Sequence, residues 1–241
     1  MQPAPLSEAA KTFHDGTYKK LGFSAQRLYP NEELLRFMGS YYFPLPPSER
    51  KTLRFLEVGC GSGANLWMIA REGFDAHGLD LSEEGLRLCE QVLSRWQVEA
   101  TLKQGSMIAT GYPDNHFDAV VDVFSGYCFD DKDFNTYLDE VTRILKPSGR
   151  FFAYTPSKNN DSFRDPGPSR MIDESTLDGL HRTTSPFFGQ YYPFHFTEPE
   201  EYEALLSARG FSVLRNERIG RTYRSREEYF EFTSIHAQLG A

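Results

Sequence analysis

Residues Phe55-Leu56-Glu57-Val58-Gly59-Cys60-Gly61-Ser62-Gly63 place three glycines at alternate positions directly after a short apolar run. Seventeen residues past Gly63 stands Asp80, at the end of a second apolar run. Small residues let a ligand approach the backbone closely. A helix starting at such a bend adds unpaired N–H donors and positive potential, which suits a carboxylate. An acid at the tip of the next strand can accept from both hydroxyls of a ribose. The chemistry these residues can do together is therefore to hold a nucleoside that also carries an anionic group. The same residues also suit a plain glycine turn, with Asp80 capping the following helix.

Positioning that pair requires alternating strands and helices. The pattern predicts strands over Arg54–Val58, Asp75–Asp80, Glu99–Lys103, Phe117–Phe124 and Arg150–Thr155. Between them it predicts a helix over Ala64–Glu72, one capped by Ser82 with apolar Leu86, Cys89, Leu93 and Trp96, and one with Phe134, Tyr137, Leu138, Val141 and Leu145 at helical spacing. Lys146-Pro147-Ser148-Gly149 reads as a turn. This βαβ rhythm implies an α/β fold with a mainly parallel sheet and helices on both faces. Thr197-Glu198-Pro199-Glu200 reads as a capping box for a helix carrying Tyr202, Leu205 and Leu206, and Phe211–Ile219 and Tyr229–His236 read as two last strands. Upstream, residues 1–12 are polar and expected to fray, and Asn31 caps a helix presenting Leu34, Leu35, Met38, Tyr41 and Tyr42. The segment Pro156–Phe196 is long and irregular, as functional loops often are.

The motif EVGCGSG followed by HGLDLS resembles the signature of class I methyltransferases. The resemblance continues through HFDAVVDVFS, VTRILKPSGRFFAYTP and HFTEPEEYEALLSARGFSVL, roughly residues 50 to 220 in the family's order. It implies a Rossmann-like, doubly wound, seven-stranded sheet and S-adenosylmethionine as cofactor. An N-terminal helical lid over 1–48 would precede a cofactor-binding domain over 49–241, whose insert 156–196 forms part of the substrate pocket. Gly59, Cys60, Gly61 and Gly63 would line the methionine half, with Glu57 supporting the loop. Asp80 would bind the ribose and Leu81 pack beside the adenine. Ser106 and Met107 stand where the family commonly has an acid facing the adenine amine, so the side-chain contact there is open. Asp122 would border the methionine and the substrate mouth. The stretch Phe23–Pro30 resembles the segment preceding the core in small-molecule methyltransferases, which gives Arg27 a cofactor carboxylate to pair with; the alternative is a surface residue at a helix entry.

Methyl transfer from a sulfonium needs chiefly positioning, worth about 7–11 kcal/mol, so the family supplies no universal catalytic residue. The candidates for proton transfer are His195 and Tyr191, at the aromatic end of the insert, with His181 less favoured. Tyr18, Tyr29, Tyr127 and Tyr192 are candidates to cover a small acceptor, with Phe187 and Phe188 beside them.

Composition narrows the partners. The net charge of −8 disfavours nucleic acid. Three scattered cysteines form neither a disulfide framework nor a zinc motif, which suits a reducing cytoplasm and no metal. No apolar run is long enough to span a membrane. The expectation is a monomer or homodimer that methylates an O or N atom of a small metabolite or natural-product intermediate. The alternatives are a non-catalytic scaffold of the same fold, and an NAD-dependent oxidoreductase, against which the Gly-x-Gly-x-Gly spacing argues.

Overall fold

The computed structural model describes residues 6–241. In chain order the elements are α1 (Leu6–Leu21), α2 (Glu32–Tyr41), α3 (Pro47–Arg50), β1 (Arg54–Val58), α4 (Leu66–Arg71), β2 (Asp75–Asp80), α5 (Glu83–Trp96), β3 (Thr101–Gln104), β4 (Phe117–Val123), α6 (Asp131–Ile144), β5 (Leu145–Pro156), α7 (Asp161–Arg164), β6 (Thr176–Leu177), β7 (Phe194–His195), α8 (Pro199–Ser207), β8 (Phe211–Tyr223) and β9 (Glu228–Leu239). Seven strands form one sheet in the order β3-β2-β1-β4-β5-β9-β8. β1 to β5 run parallel, and β9 pairs antiparallel with both β5 and β8. The order in which strands are added across the sheet reverses between β1 and β4, where Val58 pairs with Asp122. Ligands bind at this crevice in open α/β sheets.

Strand alternation sends side chains to two cores. One face takes Phe55, Ala119, Val121 and Phe152 against α2, α4 and α5. The other takes Leu56, Val58, Val120 and Phe151 against α6 and α8. The helices thus lie on both faces, as the rhythm implied. Where α4 meets α5, Trp67 and Trp96 stack with ring centroids 3.9 Å apart and planes 4° from parallel, and Trp67 Nε1 donates to the Leu28 carbonyl at 3.2 Å.

Several boundaries differ from expectation. Residues 6–12 form the first turns of α1 rather than fraying, while residues 1–5 lie outside the described residues. Ala10, Phe13 and Tyr18 recur at helical spacing and pack inward, a periodicity masked by polar composition. Asn31 caps α2 as expected, accepting from the N–H groups of Glu33 and Leu34, but Leu35 is exposed and Phe37 takes the core position. The 146–149 turn lies within β5 as a bulge, since register moves from Phe117↔Leu145 to Ala119↔Arg150. The capping box of α8 shifts by one residue, with Glu198 as N-cap and its N–H donating to Glu201 Oε2 at 3.2 Å. β8 and β9 run several residues further than predicted.

The segment 156–196 is ordered by buried carboxylates of β9. Glu228, fully buried, accepts from Ser162 Oγ at 2.9 Å, Arg182 Nε at 2.8 Å and Thr184 Oγ1 at 2.6 Å. Glu231 accepts from Ser157 Oγ and Asn159 Nδ2, both at 2.9 Å.

Candidate functional site

The bend after β1 is shaped by its glycines. Gly59, Gly61 and Gly63 have φ of +63°, +48° and +82°, which side chains rarely tolerate. Their neighbours also crowd them. A Cβ on Gly59 would overlap Ser125 Oγ, and one on Gly61 would stand 2.7 Å from the Tyr18 hydroxyl. Gly59→Ala is therefore expected to destabilise the fold by about 1–3 kcal/mol and to displace the loop, measured by denaturant unfolding; unchanged stability would show that Ser125 can yield.

Asp80 closes the loop from the neighbouring strand. Its Oδ2 accepts from the Gly61 N–H and its Oδ1 from the Ser82 N–H, both at 2.8 Å. Burial raises its pKa, opposed by those two amides. Ser82 Oγ caps α5 through the Gly85 N–H at 2.9 Å and donates to Asp15 of α1. On the other side of the loop, Glu57 is buried. Its Oε1 accepts from Asn65 Nδ2 at 2.6 Å, and its Oε2 has no partner. Burial pushes the Glu57 carboxyl up to about 8, against the pull of Asn65 and Arg27. Asn65 Oδ1 in turn accepts from Arg27 at 3.2 Å and from the Asn31 N–H at 2.9 Å. α4 starts at Leu66, two residues later than the Ala64 expected, with Asn65 at its N-cap.

A cleft runs along this bend. One half is lined by Gly59, Asp80, Leu81, Ser82 and Met107, and covered by Ala10, His14 and Tyr18 of α1. The other half is lined by Glu57, Cys60, Gly61, Asn65 and Arg27 together with aromatic residues. Tyr18, Gly59 and Phe124 line both halves. The structure thus brings Arg27, Glu57, Gly59, Cys60, Gly61, Asp80, Leu81 and Met107 together. Gly63 sits behind the loop against Cys89. Ser106 is turned into its own loop, bridging to Ala109.

Asp122 does not line the cleft. Its carboxylate turns inward, accepting from the Ser125 N–H at 2.8 Å, the Gly126 N–H at 3.0 Å and the Tyr137 hydroxyl at 2.9 Å. Burial lifts it to about 6. Its place at the junction is taken by Phe124, whose φ is +62°.

His195 and Tyr191 lie elsewhere. His195 is buried in a separate cavity with Asp131 and Thr197. Its ring stacks on Phe134 at 4.4 Å, its Nδ1 bonds Thr176 Oγ1 at 3.1 Å, and burial lowers its pKa to about 4. Tyr191 is exposed and stacks on His181 at 4.6 Å. Asp131, Asp173 and His195 bring ligand-type atoms within 4.8 Å of one another, but Asp173 is engaged by the N–H groups of Asp131 and Ser175.

Of the aromatic candidates, Tyr18 and Tyr127 line the cleft, and Tyr192 stands behind Tyr127 with their hydroxyls 2.8 Å apart. Tyr29 is exposed, edge-on to Trp67 and Trp96. Sequence reasoning missed His14, whose Nε2 lies 3.1 Å from the Tyr192 hydroxyl and whose pKa burial lowers to about 4. The periodicity of α1 was the signal for it.

Residues 55–149 match the methyltransferase domain family. The chain is similar to a fatty-acid O-methyltransferase of Mycolicibacterium smegmatis, 33% identical over 54% of this chain and 47% of that protein; it thus spans less than half the length of that relative. Among solved structures it resembles an S-adenosylmethionine-dependent methyltransferase of Methanosarcina mazei, with TM-score 0.65 and 22% identity over 89% of this chain and 99% of that one. It also resembles the 1,6-didemethyltoxoflavin-N1-methyltransferase of Burkholderia thailandensis, solved with S-adenosylhomocysteine, with TM-score 0.64 and 15% identity over 100% of this chain and 93% of that one. A positive-φ glycine bend tied to the acid of the next strand, on this strand order and with these likenesses, makes the chain similar to the class I S-adenosylmethionine-dependent methyltransferases, with a methyltransferase-domain match over residues 55–149.

Proposed function

We propose that this chain transfers the methyl group of S-adenosylmethionine to an O or N atom of a small organic acceptor. The observation that carries the reading is the bond between Asp80 and the Gly61 amide, which sets a carboxylate and a side-chain-free loop on one cleft. The residues fit the cofactor. The unpaired, buried Glu57 Oε2 can accept from its ammonium, Arg27 can pair with its carboxylate, and Asp80 can accept from its ribose. When bound, the cofactor supplies an electrophilic methyl on a good leaving group. The chain's own contribution is to orient the reactants and exclude water. In this reading α1 and residues 22–48 act as a lid and the insert 156–196 furnishes part of the acceptor wall. The setting is cytoplasmic, with a monomer or homodimer acting on a small molecule rather than nucleic acid. Among the described residues, no helix is long and apolar enough to cross a membrane, and all three cysteines are free.

Calorimetry with S-adenosylmethionine and S-adenosylhomocysteine tests the reading, followed by release of the latter with a metabolite panel. Saturable binding is expected, and its absence would overturn the proposal. Binding without turnover of any acceptor would favour the scaffold alternative.

The pH dependence adds a sharper test. Glu57 titrates near 8 in the free protein, with Arg27, Asp80 and Asp122 acting on it. An ammonium beside it favours the ionised form, so the complex holds fewer protons than the free protein. Affinity is therefore expected to rise from pH 6 to 8, with proton release visible in buffers of different ionisation enthalpy. Glu57→Gln should flatten that rise; a profile identical to the parent's would remove Glu57 from the site.

A further inference from the structure

Beyond the glycine loop the cleft continues along a wall made of two stacked pairs of rings. Phe124 stacks on Phe187 of the insert with centroids 4.7 Å apart, and Tyr154 of β5 stacks on Phe232 of β9, also at 4.7 Å. The pairs meet where Phe124 and Phe232 stand 5.7 Å apart. Arg221 and Tyr223 of β8 line the same part of the cleft.

The polar groups on this wall can all donate: the Arg221 guanidinium only donates, and the two phenols donate as well as accept. Among the described residues, Arg221 makes no ion pair. Neither it nor the Tyr154 and Tyr223 hydroxyls engage in a side-chain hydrogen bond. Arg221 acts electrostatically on both phenols, opposing the burial that raises their pKa. It also acts on Glu33, but that carboxylate stands 3.7 Å from Arg36 on the same helix. Glu57, the other carboxylate on this half, is bonded by Asn65 and acted on by Arg27. An apolar wall with a cation free of any ion pair and two phenols suits an acceptor that brings its own negative charge. A cationic acceptor would meet like charge at Arg221, and a neutral one would forgo the charge-assisted bond that a carboxylate gains there.

Resting on the methyltransferase reading, we propose that the acceptor is an apolar organic acid, its body lying against the cleft-facing side of the Phe124–Phe187 and Tyr154–Phe232 pairs and its carboxylate received by Arg221, Tyr154 and Tyr223.

The test titrates protein loaded with S-adenosylhomocysteine with two acids, 2-naphthoate and octanoate, and with their neutral amides, which match them in shape. At least one acid is expected to bind ten-fold or more tightly than its amide. Arg221→Met should erase that preference while leaving S-adenosylhomocysteine affinity and thermal stability unchanged, since Arg221 is exposed and unpaired. Equal binding of acid and amide, no binding of either acid, or a preference that survives Arg221→Met would overturn the proposal. Failure of S-adenosylhomocysteine itself to bind is a separate outcome: it falls on the methyltransferase reading and takes this proposal with it.

Discussion

Asp80→Ala is expected to weaken S-adenosylmethionine binding by roughly 10- to 150-fold, the loss of a charge-assisted hydrogen bond worth about 1.5–3 kcal/mol. Two effects add. The carboxylate would no longer be present for the ribose, and the Gly61 amide it holds at 2.8 Å would be released. The Ser82 amide loses its acceptor as well, which loosens the start of α5. Asp80→Asn separates the two effects, because it keeps one acceptor oxygen for the loop while removing the charge, so its affinity should fall between parent and Ala. Calorimetry reads the affinity and thermal unfolding the loop. Unchanged affinity in the Ala variant would remove Asp80 from the cofactor site.

Glu228→Ala is expected to be the most destabilising single change outside the cofactor loop. It strips one fully buried carboxylate from Ser162, Thr184 and the Arg182 guanidinium. Breaking a buried pair by removing one partner costs about 3–5 kcal/mol, because the other charge is left in a poor solvent. In a chain of this size that corresponds to a fall in Tm of roughly 6–20 °C. Arg182 keeps Asp165 at 2.7 Å and some exposure, which places the loss toward the lower end. Glu228→Gln retains shape and part of the bonding and should lie between. Limited proteolysis should cut the Ala variant first within 156–196. A loss below 1 kcal/mol would show that the insert is held by its apolar contacts alone.

The sheet was legible in the sequence because its signals are local. Apolar runs of strand length, glycine bends and the caps Asn31 and Ser82 each act within a few residues, and β1 and β2 fell where the pattern put them. Gly61 and Asp80 were legible as a pair because their spacing is a property of one βαβ unit. What escaped depends on contacts far apart in sequence. Asp122 reads as a cleft acid until the turn at Ser125 and Gly126 folds back on it. His195 reads as a base among aromatics until Phe134 and Thr176 enclose it on the other side. His14 was hidden for another reason: α1 buries a narrow stripe within a polar helix, and composition outweighed period. Arg221 falls in the basic cluster Arg215–Arg226, which reads as a solvated mixed-charge face, since nothing local shows that the β8–β9 hairpin runs far enough to reach the cleft.

The stacked Trp67 and Trp96 are the chain's two tryptophans, so its indole optics belong to a single coupled chromophore. One member stands on the helix that follows the glycine bend, the other at the end of the next helix. A small rotation of either helix would part the rings, altering the near-ultraviolet dichroism and the emission together. The protein thus carries a label-free optical gauge of its own binding loop.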